Sequence, residues 1–428
     1  MKSLLTLILL FTFVELDTQD TNTVVNSGSG AKYFADRIEG SVSGKGPIRE
    51  YYDNVKLFQK NVEINCNYAK LIINMNKSSL IGKVKLYQDE LELITPRANY
   101  DGNLKFSETY DSVEINNLTT YLIADKAYYF SENNIADFYG NIKIENDSSI
   151  LYSDRLKYNR INENSYAFGN VKVEGKYTHV MLYGDTVNNF PSENYSISKG
   201  NPLLVQIDTL QENETISFDT LQISSLQMEG YRELDNERYI FTDSVEIYKL
   251  NLKAKAKKAI YYKDKEFIEL FDSPIIWFDS TQLYGDTVRI YFEGKNLKSI
   301  HSIGNAFSSS KNDTVLTKRI DQLLGDEIRI KFENKQITTV ESYGNSKSLY
   351  FMSNKEGGDG VARNASDDIK IIFKNEKPDD IIWLGNNQGE YFPENILKEA
   401  IRTYYLPKFK WSEGKPKKIN KKIINKRQ

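Results

Sequence analysis

Histidine and cysteine are nearly absent from this chain. His179, His301 and Cys66 are the only ones among 428 residues. One cysteine excludes an internal disulfide framework and a Cys-rich metal site. Two histidines exclude a multi-His metal centre and leave a His-based catalytic triad little to build on. Nine prolines are too few for a polyproline or low-complexity chain. Most of the chain also lacks net positive charge. From Lys408 to Gln428 nine Lys/Arg face one acid, Glu413, a balance of +8, which leaves −11 for the rest of a chain of net charge −3. An acidic body does not look like a nucleic-acid binder. What is plentiful is aromatic: 29 Tyr and 21 Phe favour strands over helices.

The organising feature is a repeat. Gly140-Asn141 recurs as Gly169-Asn170, and steps of 29 residues backward reach Asp111-Ser112, Gly82-Lys83 and Asp53-Asn54. A fixed period of this size is the signature of stacked supersecondary units. Gly200-Asn201, Asp243-Ser244, Asp272-Ser273, Gly304-Asn305, Gly344-Asn345 and Gly385-Asn386 continue the series at uneven spacing. After each mark of the regular series comes alternation. The apolar pairs are Val55/Leu57, Val84/Leu86, Val113/Ile115, Ile142/Ile144, Val171/Val173 and, later, Val245/Ile247, with Lys56, Lys85, Glu114, Lys143, Lys172 and Glu246 between them. Such period-2 alternation marks half-buried antiparallel strands.

A second mark falls half a period later, at Asn67, Pro96, Asp125, Asp154, Asp185, Asp286 and Asp326, mostly after a small residue. Gly82, Gly140 and Gly169 at the first mark and Asp125, Asp154, Asp185 and Asp286 at the second suit bends or bulges inside long strands. Corner carboxylates that cap backbone N–H groups are the expectation here, and a calcium ladder the weaker alternative. The fold class expected is all-β: an elongated repeat jellyroll, two antiparallel sheets opening as a V-shaped trough, with a short C-terminal helix over Glu394–Tyr404. The twelve Val, Leu and Ile residues paired above line its inner face. Pro202 and Pro274 follow corners and should interrupt the ladder, because proline lacks the N–H. The weak pairs Ala306/Ser308 and Ser346/Ser348 predict a less apolar lining late in the chain.

The organisation expected is a signal peptide over 1–16, a leader over 17–47, a first array over 48–195, a second over 196–390, and a short helix with a basic, solvated tail over 391–428. Lys2 followed by the apolar run Leu4–Val14 reads as a secretory signal. Its eleven residues span about 16 Å as a helix, short of the roughly 30 Å of a bilayer core. Cys66 reads as a buried small apolar residue, and both histidines as solvated residues in turns or at strand ends.

The units Y-G-N-I-K-I, F-G-N-V-K-V-E-G and L-Y-G-D-T-V, with D-S-P-I-I-W-F-D at Asp272–Asp279 and L-P-K-F-K-W at Leu406–Trp411, resemble the OstA-like (LptA-type) proteins, in particular the long tandem version of Bacteroidetes. Asn67 where Asp is usual, and Arg97 after Pro96, depart from that pattern. The resemblance covers about Ile48 to Trp411. It implies a periplasmic β-jellyroll that binds the lipid A acyl chains of lipopolysaccharide and relays them to the outer membrane within a bridge of proteins, without catalysis, cofactor or metal. Unpaired end strands would join other bridge proteins, or a second copy, by strand addition. A structural or adhesive envelope β-solenoid is the alternative. A carbohydrate-active β-helix enzyme is a distant one.

Overall fold

The computed structural model describes residues 32–420 apart from 60–61, 213–214, 295, 312–317, 355–356, 375–376 and 398–400. The signal segment, most of the leader and the last eight residues of the tail lie outside the described residues. Thirty strands and three 3-10 turns make up the regular structure among the described residues. No helix among the described residues is long and apolar enough to cross a membrane. The described residues up to Gly200 form one compact unit and those from Asn201 a second.

In the first unit each long strand serves two sheets. The strand Ile135–Asn146 is representative. Before its corner, Ile135–Tyr139 pairs with Lys126–Phe130; after it, Lys143–Asn146 pairs with Thr120–Ile123. On its other side the strand Ser149–Asn159 follows it through the corner, where Gly140 and Asn141 stand opposite the single residue Asp154. Both extra residues take positive φ, 76° and 46°. This is a bulge that bends the strand. The same geometry recurs at Asp53/Asn54, Gly82/Lys83 and Gly169/Asn170, while at Asp111/Ser112, with φ of 69° and 127°, the chain breaks into two strands, Phe106–Tyr110 and Val113–Asn117. The departure at Asn67 therefore leaves its corner intact, whereas beside Pro96 the next strand is interrupted at Asp111–Ser112. Asn67 fills the place of the Asp beside Gly82, and Pro96 falls at the irregular position where no ladder N–H is needed.

The two sheets of this unit face each other across one continuous apolar core. Outside it, half-buried aromatic side chains pair across strands, such as Phe106–Tyr128 at 5.8 Å and Tyr52–Tyr68 at 5.2 Å between ring centroids. This accounts for much of the aromatic content, since cross-strand pairs are the unit of sheet stabilisation. Asparagine and aspartate shape the hairpins. Asn146 Oδ1 accepts from the backbone N–H of Ser148 and Ser149, and Asn159 Oδ1 from that of Ile161.

Strands are interrupted at the start of the second unit and within it, as they are at Asp111–Ser112 and Asp125 in the first. Buried Pro202 and Pro274 directly follow corners, and each separates two strands that would otherwise be continuous: Tyr195–Lys199 from Leu203–Glu212, and Phe267–Phe271 from Ile275–Phe278. The partner strand Leu252–Tyr262 runs unbroken past the second interruption. Ladder pairing also extends beyond Asp379, through Lys377–Leu384 and Gln388–Pro393.

The chain end differs from the sequence expectation. Over Glu394–Tyr404 the described residues form a single 3-10 turn at Ile401–Tyr404 rather than an amphipathic helix. Eleven residues are marginal for an isolated helix. Here Leu397, Ile401 and Tyr404 instead pack on Phe392 and its neighbours. Residues 406–419 then do not trail into solvent. They cross the outer surface of one sheet of the second unit as an extended strap. Three buried glutamines hold its backbone. Gln322 Oε1 accepts from Leu406 N at 2.8 Å, Gln282 Oε1 from Ser412 N at 2.9 Å, and Gln222 Oε1 from Ile419 N at 2.8 Å. Gln222 Nε2 donates in return to the Ile419 carbonyl, and Trp277 Nε1 to that of Ser412. From Gln282 to Gln222 the register runs through Trp277, Lys253 and Tyr248, four strand steps or about 19 Å. Seven nearly extended residues of strap cover that distance.

Candidate functional site

The residues after each corner assemble into rows. In the first unit Leu57, Ile64, Leu86, Leu93, Ile115, Leu122, Ile144, Leu151, Val173 and Leu182 are successive register partners. Ten strands thus contribute one aliphatic side chain each to an unbroken row roughly 40 Å long. Nearer the corners runs the row that contains Val55, Val84, Val113, Ile142 and Val171, all buried. The other inward residues are buried too, except Val173, which with Leu182 is partly exposed at the last strands of the unit. Val245 and Ile247 are buried in the second unit.

The facing sheet supplies rows that the post-corner pattern alone does not pick out. Ala69, Ala98, Ala127 and Leu156 form one, and Leu71, Tyr100, Tyr129 and Tyr158 another, each at steps of 29 residues and all buried. The same period was the available signal; the change of residue type along each row hid it. The tyrosine row lies nearest the hairpins. Arg160 Nη1 donates to Tyr129 Oη at 3.0 Å, and burial raises the Tyr158 phenol well above its ordinary value. Several hairpin tips carry an exposed apolar side chain: Leu104, Leu118 (76 % exposed), Ile161 (76 %) and Tyr177.

The outer partners of the lining are charged and pair with each other. Lys143 Nζ lies 2.6 Å from Glu145, which Lys176 also meets at 2.7 Å, and Lys172 lies 2.6 Å from Glu174. Hydrogen bonds from Lys143 and Lys176 hold the Glu145 carboxyl down to about 2.

At the corners, Asp125, Asp154, Asp185 and Asp286 are exposed. Asp125, Asp154 and Asp286 chiefly accept from the asparagine of the neighbouring corner rather than from backbone N–H groups. Asn141 Nδ2 to Asp125 is 2.9 Å, Asn170 to Asp154 2.8 Å and Asn305 to Asp286 3.0 Å. A Cβ on Gly140 or Gly169 would lie 2.1 or 2.5 Å from the facing carboxylate oxygen, so the packing as well as the φ requires glycine. Gly82 meets the Asn67 amide in the same way. No group of three or more metal-ligating side chains gathers among the described residues.

Cys66 is buried and donates to the Tyr68 carbonyl at 3.4 Å, and burial pushes its thiol up to about 12. It is an inert part of the lining. His179 is exposed at a hairpin. His301, in contrast to the expectation, sits half-buried within the strand Asn296–Ser310 against Tyr291, and burial followed by the nearby Arg329 lowers its pKa. A neutral ring packed on an aromatic is structural here.

The second unit redistributes polarity. Its inner row begins Leu204, Ile223, Ile247, Ala254, Ile276, Leu283, and then becomes Ser308, Leu323, Ser348, Asn364. On the opposite face of the same strands stand Trp277, Gln282, Ser309, Gln322 and Leu349, buried beneath the C-terminal segment.

Residues 35–177 match the family described as OstA-like protein, and residues 121–296 match the LptA/(LptD N-terminal domain) lipopolysaccharide transport proteins. No curated protein matches the chain. Among solved structures, LptH of Pseudomonas aeruginosa, an LptA-homologous periplasmic component of a lipopolysaccharide transport device, aligns at 16% identity over 31% of this chain and 94% of its own, with a TM-score of 0.24.

Proposed function

We propose that this OstA-like chain is a non-catalytic carrier in the periplasmic bridge that moves lipopolysaccharide to the outer membrane. In this reading the first unit takes lipid A acyl chains between its two sheets. The observation that carries it is the ten-strand aliphatic row from Leu57 to Leu182, flanked by the valine row at the corners. Acyl chains need continuous apolar surface, at about 0.8 kcal/mol per buried CH₂, and no nucleophile or metal. The lining is packed, so acyl chains replace side-chain contacts between the sheets rather than fill a void. Entry is by way of Val173 and Leu182, where burial is incomplete, and the apolar hairpin tips give the chains a place to lodge first. The terminal strands Arg37–Ser43 and Gln388–Pro393 each have, among the described residues, one edge without a ladder partner to offer to other bridge proteins.

The test is site-specific photo-crosslinking with lipopolysaccharide. A crosslinker at Ile142, Ile144, Val171 or Val173 should trap the lipid, most strongly at Val173, while one at Lys143 or Lys172 should not. Equal labelling from both faces, or none from the inner face, returns the lining to a closed structural core of an envelope β-solenoid.

A further inference from the structure

The basic C-terminal segment is held in place, and its placement sorts its side chains. Leu406 and Pro416 are buried, and Phe409 and Trp411 are half-buried against the sheet, whereas Lys408, Lys410, Lys415, Lys417 and Lys418 are exposed. The glutamine contacts read only the strap backbone, so they set its path and leave the lysines outward. Further contacts fix the cations. Tyr284 Oη donates to the Lys408 carbonyl at 2.7 Å, and Lys408 Nζ reaches Asn305 Oδ1 at 2.8 Å. Lys415 Nζ lies 3.4 Å from the Asp279 carbonyl oxygen. The acid within the strap, Glu413, is taken up by Lys311 at 3.2 Å, and Lys311 also lies over the Trp411 ring.

The sheet beneath brings both a lysine, Lys253, and a carboxylate, Asp279, near the strap. Lys253 lies on the glutamine register row, and burial together with the nearby Lys415 lowers its pKa. A protein whose remaining charge is strongly negative thus concentrates cations on one face and lays them over another lysine. Like charges held together cost free energy unless an anion meets them. Glu413 and Asp279 stand near Lys415, so the charge left for an external anion is that of Lys408, Lys410, Lys417 and Lys418.

We propose that the docked strap forms a cationic ridge on the second unit that binds a bilayer surface bearing anionic, phosphate-containing headgroups. The ridge is separate from the lining of the first unit, and it stands or falls independently of acyl-chain binding there. A Lys near such a surface adds attraction that falls off within a Debye length, so binding is salt-sensitive.

The experiment uses the full chain and two vesicle preparations, phosphatidylcholine alone and phosphatidylcholine mixed with phosphatidylglycerol, in a co-sedimentation assay. The chain should bind the mixed vesicles and not the neutral ones, and should release as salt is raised. The variant K408Q/K410Q/K417Q/K418Q should bind on the order of a thousandfold more weakly. Unchanged Trp277 emission in that variant verifies that the strap is still docked. A second variant that ends at Asn420 removes Lys421, Lys422, Lys426 and Arg427 but keeps the ridge, and should retain most of the binding. Equal binding to both vesicles, full binding by the glutamine variant, or loss of binding only on removal of residues 421–428 each overturns the ridge. The last outcome assigns the effect to the charge of the terminal residues alone.

Discussion

The two units share a bent-strand frame, and their inner rows start alike but end differently. In the first, the inner row is aliphatic from Leu57 to Leu182, and the outer face carries ion pairs such as Lys172–Glu174. In the second, the inner row gives way to Ser308, Ser348 and Asn364, while the outer face takes Trp277, Phe307 and Leu349 and covers them with the strap. The corners are alike in both: Gly169 and Gly304 have φ of 73° and 74°, and each faces an aspartate oxygen. A bent-strand frame therefore does not decide which surface is apolar. Side-chain alternation decides it, and a one-residue change in the phase of apolar residues moves the apolar surface to the other face.

Ending the chain after Tyr404 is the strongest way to break this contrast. It uncovers the apolar outer face and removes the burial of Leu406, Phe409, Trp411 and Pro416, a loss of roughly 3 kcal/mol or more for the second unit. Hydrogen exchange should accelerate in Ile275–Phe278 and Thr281–Tyr284, and Trp277 emission should shift to the red. Exchange in Ser149–Asn159 should stay as it was. Undisturbed Trp277 emission would show that the strap is not a structural part of the second unit.

Corner substitutions test what the units have in common. Gly169→Ala and Gly304→Ala should each cost about 1–3 kcal/mol, since both force a Cβ into left-handed backbone and into the facing carboxylate. Denaturant titrations of the two variants should show losses of similar size. A loss confined to one unit would mean that the corners are not equivalent.

The smallest effect expected is electrostatic and belongs to the first unit. The Glu145 carboxyl, held at about 2 by Lys143 and Lys176, is depressed from its ordinary value of 4.5. Its stabilising contribution is present above the ordinary carboxylate range and is lost as pH falls toward 2. Glu145→Gln should flatten the acid limb of the first unit's stability between those values, by a modest amount because the pair is solvent-exposed. An acid limb identical to that of the parent chain would remove Glu145 from the account.

Much of this was readable in advance where one period governs both backbone and side chain. The bends at Gly140 and Gly169 and the alternation of Ile142 and Ile144 follow from local chemistry repeated every 29 residues. The facing rows were harder. Position 98 is Ala, 127 is Ala and 156 is Leu, and only the opposite sheet explains why size varies there. The strap was not legible at all. Gln222, Gln282 and Gln322 share no period, and a glutamine in a strand looks like an outward polar residue until something covers it. Their burial, at 5, 0 and 3 % exposure, is produced by a segment close to two hundred residues away for the most distant pair. The expectation of a free tail failed for the same reason: charge density describes the lysines but not the backbone that carries them.

The asparagine–aspartate contacts at the corners have one more consequence. Each links a corner to the adjacent one, Asn141 to Asp125 and Asn170 to Asp154, never to a partner in its own repeat. Fastening of that kind has no preferred total length. A whole repeat can be gained or lost by duplication or deletion with every remaining junction intact, and each repeat, as two strands, changes the span by about 10 Å. Such an array is a ruler that evolution can cut to a required distance in fixed increments.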